Sequence, residues 1–226
     1  MTRVFLDIET IPTTSPDEMA RIAADVLAHN GSLKKPHGDD EVRRLVDEAH
    51  RKTSFDGSLG EVVVIAAAID DGPVCSWSRD YRVAGSEADL LTRFRNDMHD
   101  ALDGHGAVVV GHNAMAFDRV FLRQRGLVVG VSLPAWLTAT VKPWEAAEID
   151  TMLMWTGGAP GKTISLDRLA RSLGIGGKAS PITGDKVWDA ICAGQLADVV
   201  AYCEADVDLT RRCFHRMRAV GAEAHQ

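Results

Sequence analysis

The stretch Arg3-Val-Phe-Leu-Asp7-Ile-Glu9-Thr10 reads as a short buried strand, Arg3 to Ile8, that runs into an Asp-Ile-Glu-Thr end. Side chains alternate faces along a strand, so Asp7 and Glu9 point the same way. Two carboxylates on one face repel each other unless a proton or a cation lies between them. Taken alone, the pair fits solvated acids at a sheet edge as well as it fits a site. The rest of the chain decides between the two.

Downstream, Glu61 to Ile69 is a near-continuous apolar run suited to a central strand. Asp70-Asp71-Gly72-Pro73 is a turn signal and Val74 to Ser78 its partner strand, so the two read as a hairpin. Ser86 to Leu102 has helical spacing through Leu90, Leu91, Phe94, Met98 and Leu102. Ala107 to Val110 is another buried strand, followed by the loop Gly111-His112-Asn113. A helix is predicted from Phe117 to Arg125, stopped by Gly126. Ser165 is read as the cap of Leu166 to Leu173, which Gly174 stops. Asp198 can cap a last helix running to about Val220. This order predicts an α/β fold, a mixed sheet flanked by helices.

Between the first strand and the apolar run lies a helical insertion, residues 13–58, in what reads as one domain over residues 1–226. It holds a helix from Asp17 to His29, capped by Ser15 or Asp17 and ended by Asn30-Gly31. A polar stretch with Lys34-Lys35-Pro36 follows, and then a charged helix from Glu41 to Arg51.

Composition narrows the class. Apolar residues make up 46% of the 226, enough for a sizeable core. No apolar run reaches the about 18 residues of a membrane span. The N-terminus lacks the apolar core and cleavage site of a secretory signal, so a cytoplasmic protein is expected. Cys75, Cys192, Cys203 and Cys213 form no CxxC pair, which argues against zinc and disulfide frameworks. A formal charge of −7 argues against a basic face that coats nucleic acid. It leaves room for an enzyme that grips a few nucleotides through bound cations.

Two further features join the first. Asp118 falls in the first turn of its helix, where an anion suits the dipole. The strand before it brings it to the end of the sheet, the usual place for a site in an open α/β sheet. Tyr202 and Asp206 are four apart on the last helix and so share a face. Val199, Cys203, Val207, Thr210, Phe214 and Met217 place that face near the core, while Glu204 and Asp208 point to solvent. Carboxylates converging from three segments are hard to keep together without cations. Hard oxygen ligands suit Mg²⁺ or Mn²⁺. The chemistry that two such ions serve well is phosphodiester cleavage.

Together these residues resemble the DEDD superfamily of 3′-5′ exonucleases in its tyrosine branch (DEDDy). Asp7-Ile-Glu9-Thr10 looks like the first motif, Asn113 through Phe117-Asp118 like the second, and Tyr202-Cys-Glu-Ala-Asp206 like the third. The histidine branch would place His where Ala201 stands. A closer likeness is to stand-alone polymerase-B-like exonucleases. It includes Ser165-Leu166-Asp167, Leu173 through Gly177-Lys178, Gly184 to Val187 and Tyr202-Cys203.

The resemblance implies an RNase-H-like fold with a mixed five-stranded sheet. It also implies roles. Asp7 would bridge two ions, Glu9 and Asp206 would hold the one bearing the nucleophilic water, and Asp118 would help hold the other. Tyr202 would orient the attacking water. Thr10 through its backbone groups, Ile11 as an apolar surface for the base, and Asn113 and Phe117 would meet the terminal nucleotide, and Lys178 a phosphate. The catalytic set serves both sugars, and because no separate RNA-binding domain is visible in the sequence the expected substrate is a single-stranded DNA 3′ end, shortened with release of 5′-monophosphates. An RNase D-like RNA exonuclease and a catalytically silent module of a repair or replication complex are the alternatives.

Other charged and aromatic residues stay open. Arg119, Arg123, Arg125, Lys162 and Lys186 could meet phosphates or be ordinary surface charge. Arg211, Arg212, Arg216 and Arg218 suit a helix C-terminus. His112 could touch substrate or make a structural hydrogen bond. Trp136, Trp144, Trp155 and Trp188 read as core or loop packing.

Overall fold

Alternation along β1 (Arg3–Ile11) sorts its side chains into two packing layers. Val4, Leu6 and Ile8 go to one, Phe5 and Ile11 to the other, and Asp7 and Glu9 follow Phe5. The computed structural model describes residues 1–226 except 35–36, 143–148, 160, 179–181 and 224–226, and the side chains of 221–223. Lys35, Pro36 and Trp144 therefore lie outside the described residues.

β2 (Glu61–Ile69) and β3 (Val74–Ser78) form the predicted hairpin. β1 pairs antiparallel with β2 and parallel with β4 (Val108–Val110), so the order is β3-β2-β1-β4 and the sheet is mixed. The expected fifth strand is not found among the described residues. An isolated parallel bridge, Gly111 to Asp150, lies just beyond β4, and the preceding residues 143–148 are outside the description. Register slips by one residue after Glu9, which pairs with Val64 while Thr10 pairs with Val62. Val63 is the extra residue of this bulge, and it packs in the same layer as Val64.

Helices cover both faces. α3 (Ser86–Ala101) and α4 (Asp118–Val129) pack on the Leu6 side, with Leu90, Leu91, Phe94, Phe121 and Leu122 buried. Each fully buried side chain of this size contributes about 1.5–3 kcal/mol. α5 (Ala135–Thr138) follows α4. On the other face lies the last helix, here numbered α9 (Leu196–Glu223) after α6 (Thr151–Thr156), α7 (Leu166–Ser172) and α8 (Val187–Cys192). Its buried face is Val199, Tyr202, Cys203, Val207 and Phe214, and the Phe214 ring meets Phe5 edge-on at 5.6 Å.

Several boundaries differ from expectation. α4 runs past Gly126 to Gly130, whose φ of +75° forms the true stop. Gly126 is buried in the helix, where a Cβ would meet the Val131 carbonyl at 2.8 Å. Asp198 lies inside the first turn of α9 rather than at its cap. In the insertion, α1 (Pro16–Ser32) includes Gly31, and Ser15 caps it by accepting from Glu18 N. α2 (Asp39–Lys52) packs against α1 and leads into a 3₁₀ turn, Thr53–Phe55, beside β1. Trp155 is 45% exposed, so it is not a core residue. No helix among the described residues is long and apolar enough to cross a membrane.

Candidate active site

The three motif segments meet where β1 ends. Glu9, Asp118 and Asp206 are buried at 8%, 4% and 6% exposure, and Asp7 stands among them partly open to solvent. Ligand-type atoms of Asp7, Glu9 and Cys203 lie within 4.8 Å of one another. Asp118 reaches the patch from the first turn of α4, its Oδ1 accepting from Ile8 N at 3.1 Å, between the two acids of β1. The helix turn of α9 sets Tyr202, Cys203 and Asp206 on the sheet-facing side.

Electrostatics follow from this crowding. Burial raises the Asp7 carboxyl well above its ordinary range, and the charges of Asp118, Glu9 and Asp206 push it further. Glu9 is raised well above its range by burial and by Asp206, opposed by Lys178. Asp118 is pushed up to about 7, chiefly by burial. Asp206 is raised by burial against the pull of Lys178. A set of acids that hold protons this strongly needs cations to ionise together.

A cation also fits a specific vacancy in hydrogen bonding. Asp206 Oδ1 is buried with no hydrogen-bond partner among the described residues, while Oδ2 accepts from Lys178 Nζ at 2.6 Å. Buried acceptors rarely stay unpaired without a reason. Cys203 is a poorer candidate ligand than its position suggests. Burial and the neighbouring acids push its thiol well up, so it stays protonated and donates toward Asp7 Oδ2 at 3.4 Å.

Lys178 sits across the site: its Nζ also donates to Tyr202 OH at 2.9 Å and lies 4.6 Å from the Tyr202 ring centroid. The chain that places it was only partly legible. Ser165 caps α7 by accepting from Arg168 N, and Asp167 in that first turn accepts from Lys178 N at 2.9 Å. A Cβ on Gly177 would lie 2.6 Å from that Asp167 oxygen, so glycine keeps the clamp closed.

Asp150 was missed by the sequence reading. It is 1% exposed, and its carboxylate accepts from the amides of Asn113, Met115, Met152 and Leu153. It thereby caps α6 and ties down the loop that carries the second motif. An acid directly before the apolar-rich Thr151–Thr156 was the available signal. Asn113 itself takes φ +66°, a left-handed turn that asparagine tolerates. His112 makes its structural bonds, to Thr151 Oγ1 at 2.9 Å and the Ile164 carbonyl at 2.8 Å.

Other expected contacts do not gather here. Ile11 is 0% exposed in the α9 layer, so its side chain offers no surface to a base. Arg119 is buried and donates to the Leu137 and Ala139 carbonyls, and Arg125 is buried against Glu87. Neither is free for phosphate, nor is either ordinary surface charge. Thr10 donates its hydroxyl to the Ser54 carbonyl at 2.7 Å, which leaves the role expected of its backbone untouched. Glu204 is half-buried and accepts from Ser76 Oγ, and Asp208 pairs with Arg211.

A mixed sheet sandwiched by helices, with an acidic patch at the end of its first strand, defines an RNase-H-like fold. The family B DNA polymerase from the hyperthermophilic archaeon Pyrobaculum calidifontis shares it, with TM-score 0.56 and 18% identity over 93% of this chain. This chain spans only 23% of that polymerase chain, and at this identity the likeness concerns the fold alone. Compared by sequence with curated proteins, the chain has no significant match. The model of the family described as predicted 3′-5′ exonuclease related to the exonuclease domain of PolB matches residues 58–226, and the chain belongs to that family. The match contains Asp118, Lys178, Tyr202 and Asp206, and β1 with Asp7 and Glu9 lies before it.

Proposed function

We propose that the protein is a DEDDy-type 3′-5′ exonuclease that removes nucleotides from single-stranded DNA 3′ ends and releases 5′-monophosphates. The observation that carries this reading is the set of three buried carboxylates, Glu9, Asp118 and Asp206, around the half-buried Asp7, with an orphaned Asp206 oxygen. Family membership supports the polarity. The family's relation to the exonuclease domain of PolB supports DNA over RNA.

These four carboxylates would hold two ions, Mg²⁺ or Mn²⁺, which would supply positive charge to the scissile phosphate and lower the pKa of the attacking water. Tyr202 is ill suited to act as the base, because burial and the surrounding acids raise its phenol above its ordinary pKa in the metal-free chain. It keeps its proton and positions the attacking water through a hydrogen bond. Lys178, held by Asp167, can turn its ammonium from Asp206 to a phosphate oxygen when substrate arrives. Asn113, Phe117 and the backbone at Thr10 border the space for the terminal nucleotide.

The test is digestion of 5′-labelled DNA and RNA oligonucleotides by the full chain with Mn²⁺ or Mg²⁺, beside Asp7→Ala. A 3′-shortening ladder on DNA that Asp7→Ala loses is the expected result. Equal cleavage by both proteins would assign the activity to a contaminant and overturn the reading. Faster cleavage of RNA would replace the substrate with the RNase D-like one.

A further inference from the structure

The insertion closes on a 3₁₀ turn, Thr53–Phe55, and that turn is pinned from several sides. Thr10 Oγ1 donates to the Ser54 carbonyl at 2.7 Å, and Thr13 N donates to Thr53 Oγ1 at 2.9 Å. Arg125 Nη1 donates to the Gly57 carbonyl at 3.2 Å. Gly57 and Gly60 are closely packed, since a Cβ would lie 2.9 Å from Gln124 Cβ and 2.3 Å from the Thr53 carbonyl respectively. So rigid a turn nevertheless presents Phe55 with 69% of its surface exposed.

Phe55 does not stand alone. Its ring centroid is 6.2 Å from that of Phe117, which is 5.4 Å from the buried Phe121. The three rings form a ladder from the core to solvent, and its middle rung directly precedes Asp118. Thr10, which directly follows Glu9 in β1, holds the same turn. The ladder is thus tied to the acidic segments through two chain neighbours, Thr10 next to Glu9 and Phe117 next to Asp118, on a turn that hydrogen bonds hold in place. An exposed ring fixed in place forgoes burial of its own but loses little entropy when a flat partner stacks on it.

We propose that Phe55 is a stacking residue for the substrate strand, receiving a base of its 3′-terminal segment next to the nucleotide bordered by Phe117. This rests on the nuclease reading above. It adds a contact from the insertion, at a position before the residues that the family match covers. Stacking on an aromatic ring tolerates any base, as a nuclease without sequence preference requires.

The test compares wild type, Phe55→Ala and Phe55→Trp in the full chain with Mn²⁺. One substrate is an oligothymidylate, and the other is the p-nitrophenyl ester of thymidine 5′-monophosphate, which has no neighbouring base. Phe55→Ala should lower the ratio of kcat/KM on the oligonucleotide to that on the ester roughly tenfold, mostly through KM. Phe55→Trp should restore the ratio. An abasic site at one of the three terminal positions should slow wild type and add nothing to Phe55→Ala.

An unchanged ratio, or an equal loss on both substrates, would overturn the proposal, the second marking a purely structural role. Should wild type cleave neither substrate, the nuclease reading falls by itself. Fluorescence anisotropy of labelled oligothymidylate then decides on Phe55, and equal affinities for wild type and Phe55→Ala overturn the proposal.

Discussion

Asp206 shows how one residue can be both satisfied and unfinished. One oxygen takes the Lys178 ammonium, and the other is buried with nothing to accept from among the described residues. Tyr202 shares the same lysine and is held in its neutral form by burial and by the surrounding acids. A phenol kept neutral can orient water but is a poor acceptor for its proton. Tyr202→Phe should therefore lower kcat about tenfold to a hundredfold and leave the shape of the pH profile intact. Steady-state kinetics across pH 6 to 9 checks this. Loss of one limb of the profile would show that Tyr202 titrates in the reaction, against this account.

At the scale of elements, the site is held by buried ties between segments distant in sequence. Arg125 of α4 forms a two-pronged pair with Glu87 of α3, at 2.6 and 2.9 Å, and also reaches Gly57 of the insertion. Glu87 in turn accepts from Val62 N of β2. Removing the cation leaves a buried carboxylate with a single amide. Arg125→Met should cost about 3–5 kcal/mol. Urea unfolding measures it. A loss of about 0–1 kcal/mol, the value of an exposed pair, would mean that water reaches Glu87. The same substitution loosens the Thr53–Phe55 turn, so the oligonucleotide KM should rise with it.

For the whole molecule, the acidic patch is a net cost to folding that ligands can offset. Burial pushes the Asp118 carboxyl up to about 7 in the folded chain, and Asp7 and Glu9 are also raised. In the unfolded chain such groups titrate at about 4. Between those values the metal-free folded state binds more protons than the unfolded state, so its stability falls as pH rises through the window. Cations relieve the same repulsion. Mn²⁺ should therefore raise Tm more at pH 8 than at pH 5. Thermal melts with Mn²⁺ and with chelator give the comparison, and an equal shift at both pH values would contradict the assignment.

Local periodicity determined much of this protein. Alternation along Arg3 to Glu9 put the two acids on one face, and helical spacing put Tyr202 and Asp206 on another. Both follow from backbone geometry that needs no knowledge of partners. The hairpin of β2 and β3 was legible for the same reason, its turn being written between its strands. Only the tertiary structure decided what meets across distance. It made Asp150 the anchor of the second motif, closed Asp167 on Lys178, and sent Arg119 and Arg125 inward. It let α4 run through Gly126, where close packing against the 131–133 segment, not a stop, requires the missing side chain. It buried Ile11 and left Phe55 in solvent. Each of these depends on segments that pack together from far apart in the chain, and burial, unlike periodicity, is a property of the neighbours a residue acquires on folding.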